Sequence, residues 1–283
     1  MFARIQRSWD LACACMRLLM EDKSLLVFPL MSGVAMVLIV ASFAVPLLAV
    51  AGILWGTGVT HSLDVLSYIA LFVFYWIQFS IVIYFNVALV EVALRRMDGK
   101  EARIADGLRR ATSKLPTILA YALIAATVGI VLRFIAERVG ILGRIVIALV
   151  GLAWAIATAL VVPVLVAEEV GPFDAISRST KLIKKAWGET LIGNAGIGFV
   201  FGLFFVLLVV VTLGAEAVAG IAGSATLAIL IVAAAALAFV VLVLTQSTLQ
   251  GIYTAALYRY ANGDGATPGI DKGLLESAFR PKT

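Results

Sequence analysis

Charged residues are scarce in this sequence. They make up 14% of the 283 residues, whereas about 25% is usual in soluble globular domains. Hydrophobic residues make up 63% of the chain, and its mean hydropathy is +1.07. A chain of this composition has too few charged residues to form the surface of a water-soluble protein. It is also too apolar to be intrinsically disordered. The composition therefore predicts an all-α integral membrane protein.

Histidine and cysteine are nearly absent as well. His61 is the single histidine, and Cys13 and Cys15 are the only cysteines. A zinc site needs three or four protein ligands and a histidine-based triad needs partners, so neither is expected. No glycine-rich phosphate-binding motif is present. We therefore predict a non-enzymatic protein with no catalytic residues, no metal and no cofactor.

Long hydrophobic runs are what the sequence does contain. A hydrocarbon core of about 30 Å requires about 20 apolar residues of helix, whose backbone groups are satisfied internally. Six stretches meet or approach this length, at 25–54, 65–90, 115–132, 145–167, 191–213 and 226–257. They predict a single six-span membrane domain covering the chain, with a short tail at 265–283.

Basic residues are distributed unevenly between the connecting segments. All but three of the 22 Lys and Arg residues lie before the first span, between the second and third, between the fourth and fifth, or after the sixth. The other connections hold only Arg133, Arg138 and Arg144. Because basic residues accumulate on the cytoplasmic side, we predict that both termini are cytoplasmic in a plasma (inner) membrane. This topology accounts for the net charge of +5 without a nucleic-acid partner.

A short basic helix is predicted ahead of each outward span. Apolar residues at helical spacing identify the three helices: Phe2, Ile5, Trp9, Ala12 and Met16; Ile104, Leu108, Ala111 and Leu115; Phe173, Ile176, Thr180, Ile183 and Trp187. The sequence IQRS at 5–8 recurs as ISRS at 176–179, with a weaker copy at 108–111. We therefore hypothesise three tandem repeats, at 1–99, 100–170 and 171–264, each with one amphipathic helix on the cytoplasmic side and two spans.

The basic faces of these helices are candidate contact surfaces. One hypothesis is that the apolar stripes lie at the headgroup level while the charged faces meet anionic lipid. The other is that the helices dock on one another as a cap, or contact another membrane protein or a second copy of this chain. The candidate contact residues are Arg7, Arg110, Arg178, Lys181, Lys184 and Lys185.

Uncharged polar residues within the spans support an alternative function. The candidates are Gln78, Asn86, Gln246 and Gln250. Interhelical hydrogen bonding is the ordinary role of such carboxamides. The alternative hypothesis is that the protein is a carrier or pore. In that case these four residues line the path of a neutral or lipid-like solute. Glu91 is the best ionisable candidate within a span, but Arg95 follows at i+4 and predicts a helical ion pair.

Three segments resemble a known protein family. Residues 4–9 (RIQRSW), 22–30 (DKSLLVFPL) and 187–194 (WGETLIGN) are similar to a prokaryotic integral-membrane family known as domain of unknown function 6159. A looser similarity extends to YciC-like inner-membrane proteins and to the membrane region of glycerophosphodiester phosphodiesterases. The resemblance implies a six-helix protein of a prokaryotic membrane and supplies no catalytic residue. The chain lacks a phosphodiesterase domain, so that activity is not expected.

Reporter fusions test the predicted threading. We expect a reporter active only outside the cytoplasm to work when fused after residues 60, 140 or 220, and a cytoplasmic reporter to work at the C-terminus, because the basic segments stay inside. Paired fusions of both reporters at each position control for expression. A fusion after residue 140 that is active only in the cytoplasm would contradict the six-span topology.

Overall fold

The computed structural model describes residues 15–16, 19–20, 22–57, 64–185, 187–221 and 223–263, with side-chain detail at most of them. A short 3-10 helix, Lys23–Leu26, precedes nine helices in this part of the chain. They are α1 (Val27–Thr57), α2 (Asp64–Met97), α3 (Ile104–Ser113), α4 (Leu115–Arg138), α5 (Ile141–Thr158), α6 (Val161–Ala167), α7 (Pro172–Lys185), α8 (Trp187–Ile221) and α9 (Ala225–Asn262).

Six helical segments are long and apolar enough to cross a membrane. They are Lys23–Ala44, Ile69–Met97, Leu115–Arg138, Ile141–Ala167, Gly196–Ile221 and Ala225–Asn262. The described residues contain no β-strand. The all-α, six-span prediction is therefore confirmed. In order along the chain, α3 and α7 each precede two spans; the tandem repeat itself stays a prediction.

The fourth span is interrupted, which the sequence analysis did not predict. α5 ends at Thr158 and α6 begins at Val161. Pro163 has no N–H, and a proline ring collides with the carbonyl of the residue four positions earlier, here Ala159. The helix therefore breaks about one turn before the proline.

Ser179 of α7 bonds the backbone at this break. Its hydroxyl donates to the carbonyl of Ala157 at 2.7 Å and accepts from the N–H of Leu160 at 3.1 Å. The Ser179 residue is fully buried, and its hydroxyl uses both its donor and an acceptor site here. The two hydrogen bonds hold α7 against the interruption in the fourth span.

α3 continues the line of α4 along α2. Three contacts mark the register: Trp76 bonds Leu119, Tyr84 bonds Thr112, and Gly107 lies against Ala88. A Cβ added at Gly107 would collide with the carbonyl oxygen of Ala88, so this close approach requires glycine. Residue numbers rise along α2 as those of its partners fall, so α3 and α4 run antiparallel to α2. α3 therefore lies lengthwise on α2.

Buried residues are concentrated at the end of the bundle where α3 and α7 lie. Residues 87–93 of α2 and 163–166 of α6 are buried without interruption, and most of 248–261 in α9 is buried. By contrast, residues 225–244 of α9 have no buried member. We call the packed region, comprising 83–113, 160–184 and 248–262, the head.

Helix length explains how the head relates to a bilayer. α9 has 38 residues and is about 57 Å long at 1.5 Å per residue, whereas a hydrocarbon core is about 30 Å thick. Fitting all of α9 into that core would require a tilt of about 58°, beyond the usual range of 0–40°. Its exposed part, 225–244, alone measures about 30 Å. In a bilayer of ordinary thickness, the head end of α9 therefore projects past the hydrocarbon.

Replacing Ser179 tests the bonds at the break. We expect Ser179→Ala to lower the free energy of unfolding by about 1–3 kcal/mol, because the buried N–H of Leu160 loses its hydrogen-bond partner. Thermal unfolding in detergent measures the change. Ser177→Ala on the exposed face of the same helix is the matched control, with an expected effect within about 0.5 kcal/mol. Equal stabilities of the two variants would contradict this role for Ser179.

Candidate functional site

Two cationic side chains bind the turn that follows α6. Arg110 donates from Nε to the carbonyl of Val166 at 3.0 Å, and from Nη1 to Oε1 of Glu169 at 3.0 Å. Lys114, at the junction of α3 and α4, donates to the carbonyl of Glu168 at 3.0 Å and to Oε2 of Glu169 at 2.6 Å. Cations at a helix C-terminus satisfy unpaired carbonyls and oppose the negative end of the helix dipole. This network joins α3 and α4 to the end of the fourth span.

Glu168 extends the same network to α7 and α9. Its Oε1 accepts from Nε of Arg178 at 3.0 Å and from the hydroxyl of Tyr258 at 3.1 Å. Arg178 also donates from Nη2 to Oδ1 of Asn262 at 2.8 Å. Arg110 and Arg178, two of the predicted contact residues, therefore form hydrogen bonds within the protein.

Glu169 is the exposed member of this network. Its side chain is 77% exposed, whereas that of Lys114 is 7% exposed. Hydrogen bonds from Lys114 and then Arg110 hold the pKa of Glu169 below its ordinary value. A buried ammonium group needs a counterion, so the carboxylate of Glu169 supplies the charge that Lys114 requires.

α7 packs the middle of its predicted apolar stripe against the protein and leaves the first residue of that stripe exposed. Ala175, Ser179 and Leu182 are fully buried, whereas Phe173, the first residue of the predicted apolar stripe, is 74% exposed. Of the same stripe, Ile183 is buried and Ile176 packs against the hydrophobic core. Ser179 bonds the interrupted fourth span, so the buried face is centred near that residue, and Phe173 lies about 120° away from it around the helix.

Two predicted contact residues share this exposed face. Lys181 and Lys184 are exposed. At 100° per residue, Phe173, Lys181 and Lys184 lie within about 80° of one another around α7. Neither lysine forms an ion pair with another residue in the described ranges. The exposed face of α7 thus combines an aromatic ring with two cations.

The apolar stripe predicted on α3 follows the sequence more closely. On α3, Ala111 is fully buried, and Ile104 and Leu108 are partly buried and pack against the hydrophobic core. Leu115, the last member of the stripe, is 39% exposed. The predicted ion pair of Glu91 and Arg95 is also present, at 2.5 Å. The predicted ion pair is therefore confirmed, whereas a cytoplasmic amphipathic helix at this position stays a prediction.

Of the four residues of the predicted polar path, Asn86 lines a small polar cavity. Asn86 lies with Ser32 and Ser247 on a cavity of about 40 Å³, which has room for no more than a few water molecules. Gln78 and Gln246 are partly buried, Gln250 is exposed, and none of these three lines the cavity. The structure therefore places Asn86 at a small polar cavity, apart from the three glutamines.

Several predicted residues fall outside the description. Arg7, His61 and the tail at 265–283 are not among the described residues, and Lys185 lies in α7 without side-chain detail. Of the cysteines, only Cys15 is described, and burial raises its pKa to about 12. Its thiol is therefore protonated and unreactive at neutral pH. Within the described ranges, no three His, Cys, Asp or Glu side chains are grouped to hold a metal ion.

Two ion pairs that the sequence analysis missed connect separate helices at the head. Arg96 of α2 pairs with Asp22, which precedes α1, at 2.9 Å, and Arg259 of α9 pairs with Asp98. Asp22 also accepts from the backbone N–H of Ser24 at 3.1 Å, as an N-cap residue does. Only that capping position is readable from the sequence, because the partners are distant along the chain.

The pH dependence of stability tests the Glu169 network. Because the folded-state pKa of Glu169 is lowered, its charge contributes stability that is complete above the unfolded-state pKa and lost as pH falls through the folded-state value. We expect the wild type to unfold at a higher temperature than Glu169→Gln at pH 7, with the difference disappearing in strong acid. Glu101→Gln, at an exposed site, is the control. A difference that persists in strong acid would contradict this role.

Comparison with known proteins finds a match along most of the chain. The model of a family described as "Family of unknown function (DUF6159)" matches residues 65–269. No curated protein and no solved structure matches the chain. The family resemblance noted in the sequence is therefore confirmed, whereas the looser similarity to YciC-like proteins is not shown.

Proposed function

The chain belongs to the DUF6159 family of unknown function, and we propose that it is a non-enzymatic protein of a prokaryotic plasma membrane that binds and organises anionic phospholipid. The contact surface is the exposed face of α7. One observation carries the proposal: Phe173, Lys181 and Lys184 are exposed together at the end of the bundle that holds most of the basic residues. With both termini cytoplasmic, as the basic residues predict, this end meets the inner leaflet.

The chemistry of this face suits a membrane surface. An aromatic side chain on an interfacial helix enters the boundary between headgroups and acyl chains. A lysine near an anionic leaflet contributes about 1 kcal/mol of attraction. Asp174 is also exposed, in the first turn of α7, where a carboxylate stabilises the positive end of the helix dipole. Lys181 and Lys184 lie two to three turns further along and leave the face basic.

Internal hydrogen bonds narrow the set of contact residues. Arg110 and Arg178 bind carboxylates and carbonyls of the head, so moving them to lipid would disconnect the helices that they join. Lys181 and Lys184 can contact lipid without such a loss. The proposed contact is therefore smaller than the basic set predicted from the sequence.

The carrier or pore hypothesis receives less support from the geometry. The cavity at Asn86 is small, and Gln250 is exposed on α9. Thr245 is about 30 Å along α9 from its first residue, Ala225, so the polar run containing Gln246 and Gln250 begins where the hydrocarbon would end. Contacts of these side chains with headgroups or water account for their polarity without a solute path.

Charge-removing variants test the lipid contact. The wild type and Lys181→Gln/Lys184→Gln are reconstituted in equal mixtures of phosphatidylglycerol and phosphatidylcholine, extracted in mild detergent, and the retained lipids are measured by mass spectrometry. We expect the double variant to lower the retained phosphatidylglycerol-to-phosphatidylcholine ratio by about fivefold per lysine at low salt, which corresponds to about 1 kcal/mol each. High salt should reduce the wild-type preference.

A matched variant controls for net charge. Lys100→Gln/Arg109→Gln removes two exposed cations from elsewhere at the head end, and we expect it to retain most of the preference. Phe173→Ser should reduce the total retained lipid and leave the ratio unchanged. Equal losses in the two double variants, or no loss in either, would overturn the proposed role of α7.

A further inference from the structure

An apolar groove lies between α2 and α4, away from the exposed face of α7. It is lined by Trp76, Ile77, Ile81 and Tyr84 of α2 and by Leu115 and Leu119 of α4, and its volume is about 280 Å³. Both helices are candidate membrane spans. In a bilayer the groove would therefore open towards lipid.

The polar atoms around the groove already have partners inside the protein. Trp76 donates from Nε1 to the carbonyl of Leu119 at 3.0 Å, and the hydroxyl of Ser80 donates to the carbonyl of Trp76 at 2.7 Å. The hydroxyls of Tyr84 and Thr112 lie 2.9 Å apart and share a hydrogen bond. An occupant would therefore meet hydrocarbon walls, which disfavours a polar solute.

The dimensions of the groove suit one hydrocarbon chain. Eight residues separate Trp76 from Tyr84, so the groove extends about 12 Å along α2, close to the depth of about 15 Å of one leaflet's hydrocarbon. Its volume of about 280 Å³ is just below the range of 300–1,000 Å³ typical of small-molecule sites. A single extended chain fits this shape better than a bulky solute does.

The two ends of the groove differ in polarity. Tyr84 and Leu115 lie at the head end of the groove, where the hydroxyls of Tyr84 and Thr112 meet. From there the groove extends towards Trp76, along the part of α2 whose exposed side chains are apolar. This is the polarity of a phospholipid in the inner leaflet, with its glycerol and headgroup at the hydroxyl-bearing end and its chain pointing away from it.

We propose that this groove is a binding site for one acyl chain of a phospholipid, whose glycerol and headgroup lie at the Tyr84 and Thr112 end. The site is separate from the α7 face and requires no anionic headgroup. Trp76, fixed by its bond to Leu119, forms one wall. The site goes beyond the proposed function, and zwitterionic lipid is sufficient to test it.

Fluorescence quenching of Trp76 tests the site. The chain has five tryptophans, so one protein keeps only Trp76 and a reference protein keeps only Trp154 on α5, the others being replaced by Phe. Each full-length protein is delipidated in detergent and titrated with phosphatidylcholine brominated in mid-chain. We expect Trp76 to be half-quenched at a lipid-to-protein ratio at least fivefold lower than Trp154, because a bound chain places bromine beside it.

Groove-filling variants complete the test. Ile77→Phe/Ile81→Phe should raise the half-quenching ratio for Trp76 to that of Trp154, whereas Val146→Phe, on the exposed surface of α5, should leave it unchanged. Native mass spectrometry of the unmodified protein should detect one retained phospholipid per chain and keeps the test independent of how the variants fold. Equal titration of the two tryptophans would overturn the proposal, as would an unquenched Trp76 in a protein that elutes as a dimer, because a second copy would then cover the groove.

Discussion

The C-terminal end of α6 leaves backbone carbonyls without partners inside the helix, and two carboxylates follow directly. Arg110, Lys114 and Arg178 neutralise this negative turn from α3, the start of α4 and α7. Tyr258 brings α9 to the same point through its bond to Glu168. These hydrogen bonds connect four separate helices at the turn after α6, and the packing of the head depends on them. These three cations therefore stabilise the packing of the head. Only the basic residues that form no such internal bonds are available for an external contact.

The uneven burial has a consequence for function. Residues 225–244 of α9 have no buried member, whereas most of 248–261 is buried. A closed pore needs walls along the whole hydrocarbon depth, and helices that separate within that depth expose their sides to lipid instead. The α7 face and the groove beside Trp76 both lie where the head meets this lipid-exposed region. The described surfaces are compatible with the lipid contacts that we propose.

Features predictable from the sequence are those set by local composition. The six spans follow from apolar length alone, and the Glu91–Arg95 pair and the apolar residues of α3 follow from helical spacing. The break at Pro163 was readable in principle, because proline removes a backbone donor, but the apolar run concealed it. The burial of Ser179 on α7 was not readable, since its hydroxyl bonds a carbonyl 22 residues away.

The sequence by itself determined that this chain forms six apolar helices with most of its cations in alternate connecting segments, because span length and charge placement are properties of each segment alone. The tertiary structure decided which cations remain available: Arg110 and Arg178 resemble Lys181 and Lys184 in the sequence, yet the first two bind the turn after α6 and the others are exposed. It also created the groove, whose walls come from two helices. Contacts between distant segments decide both outcomes, and no local pattern encodes them.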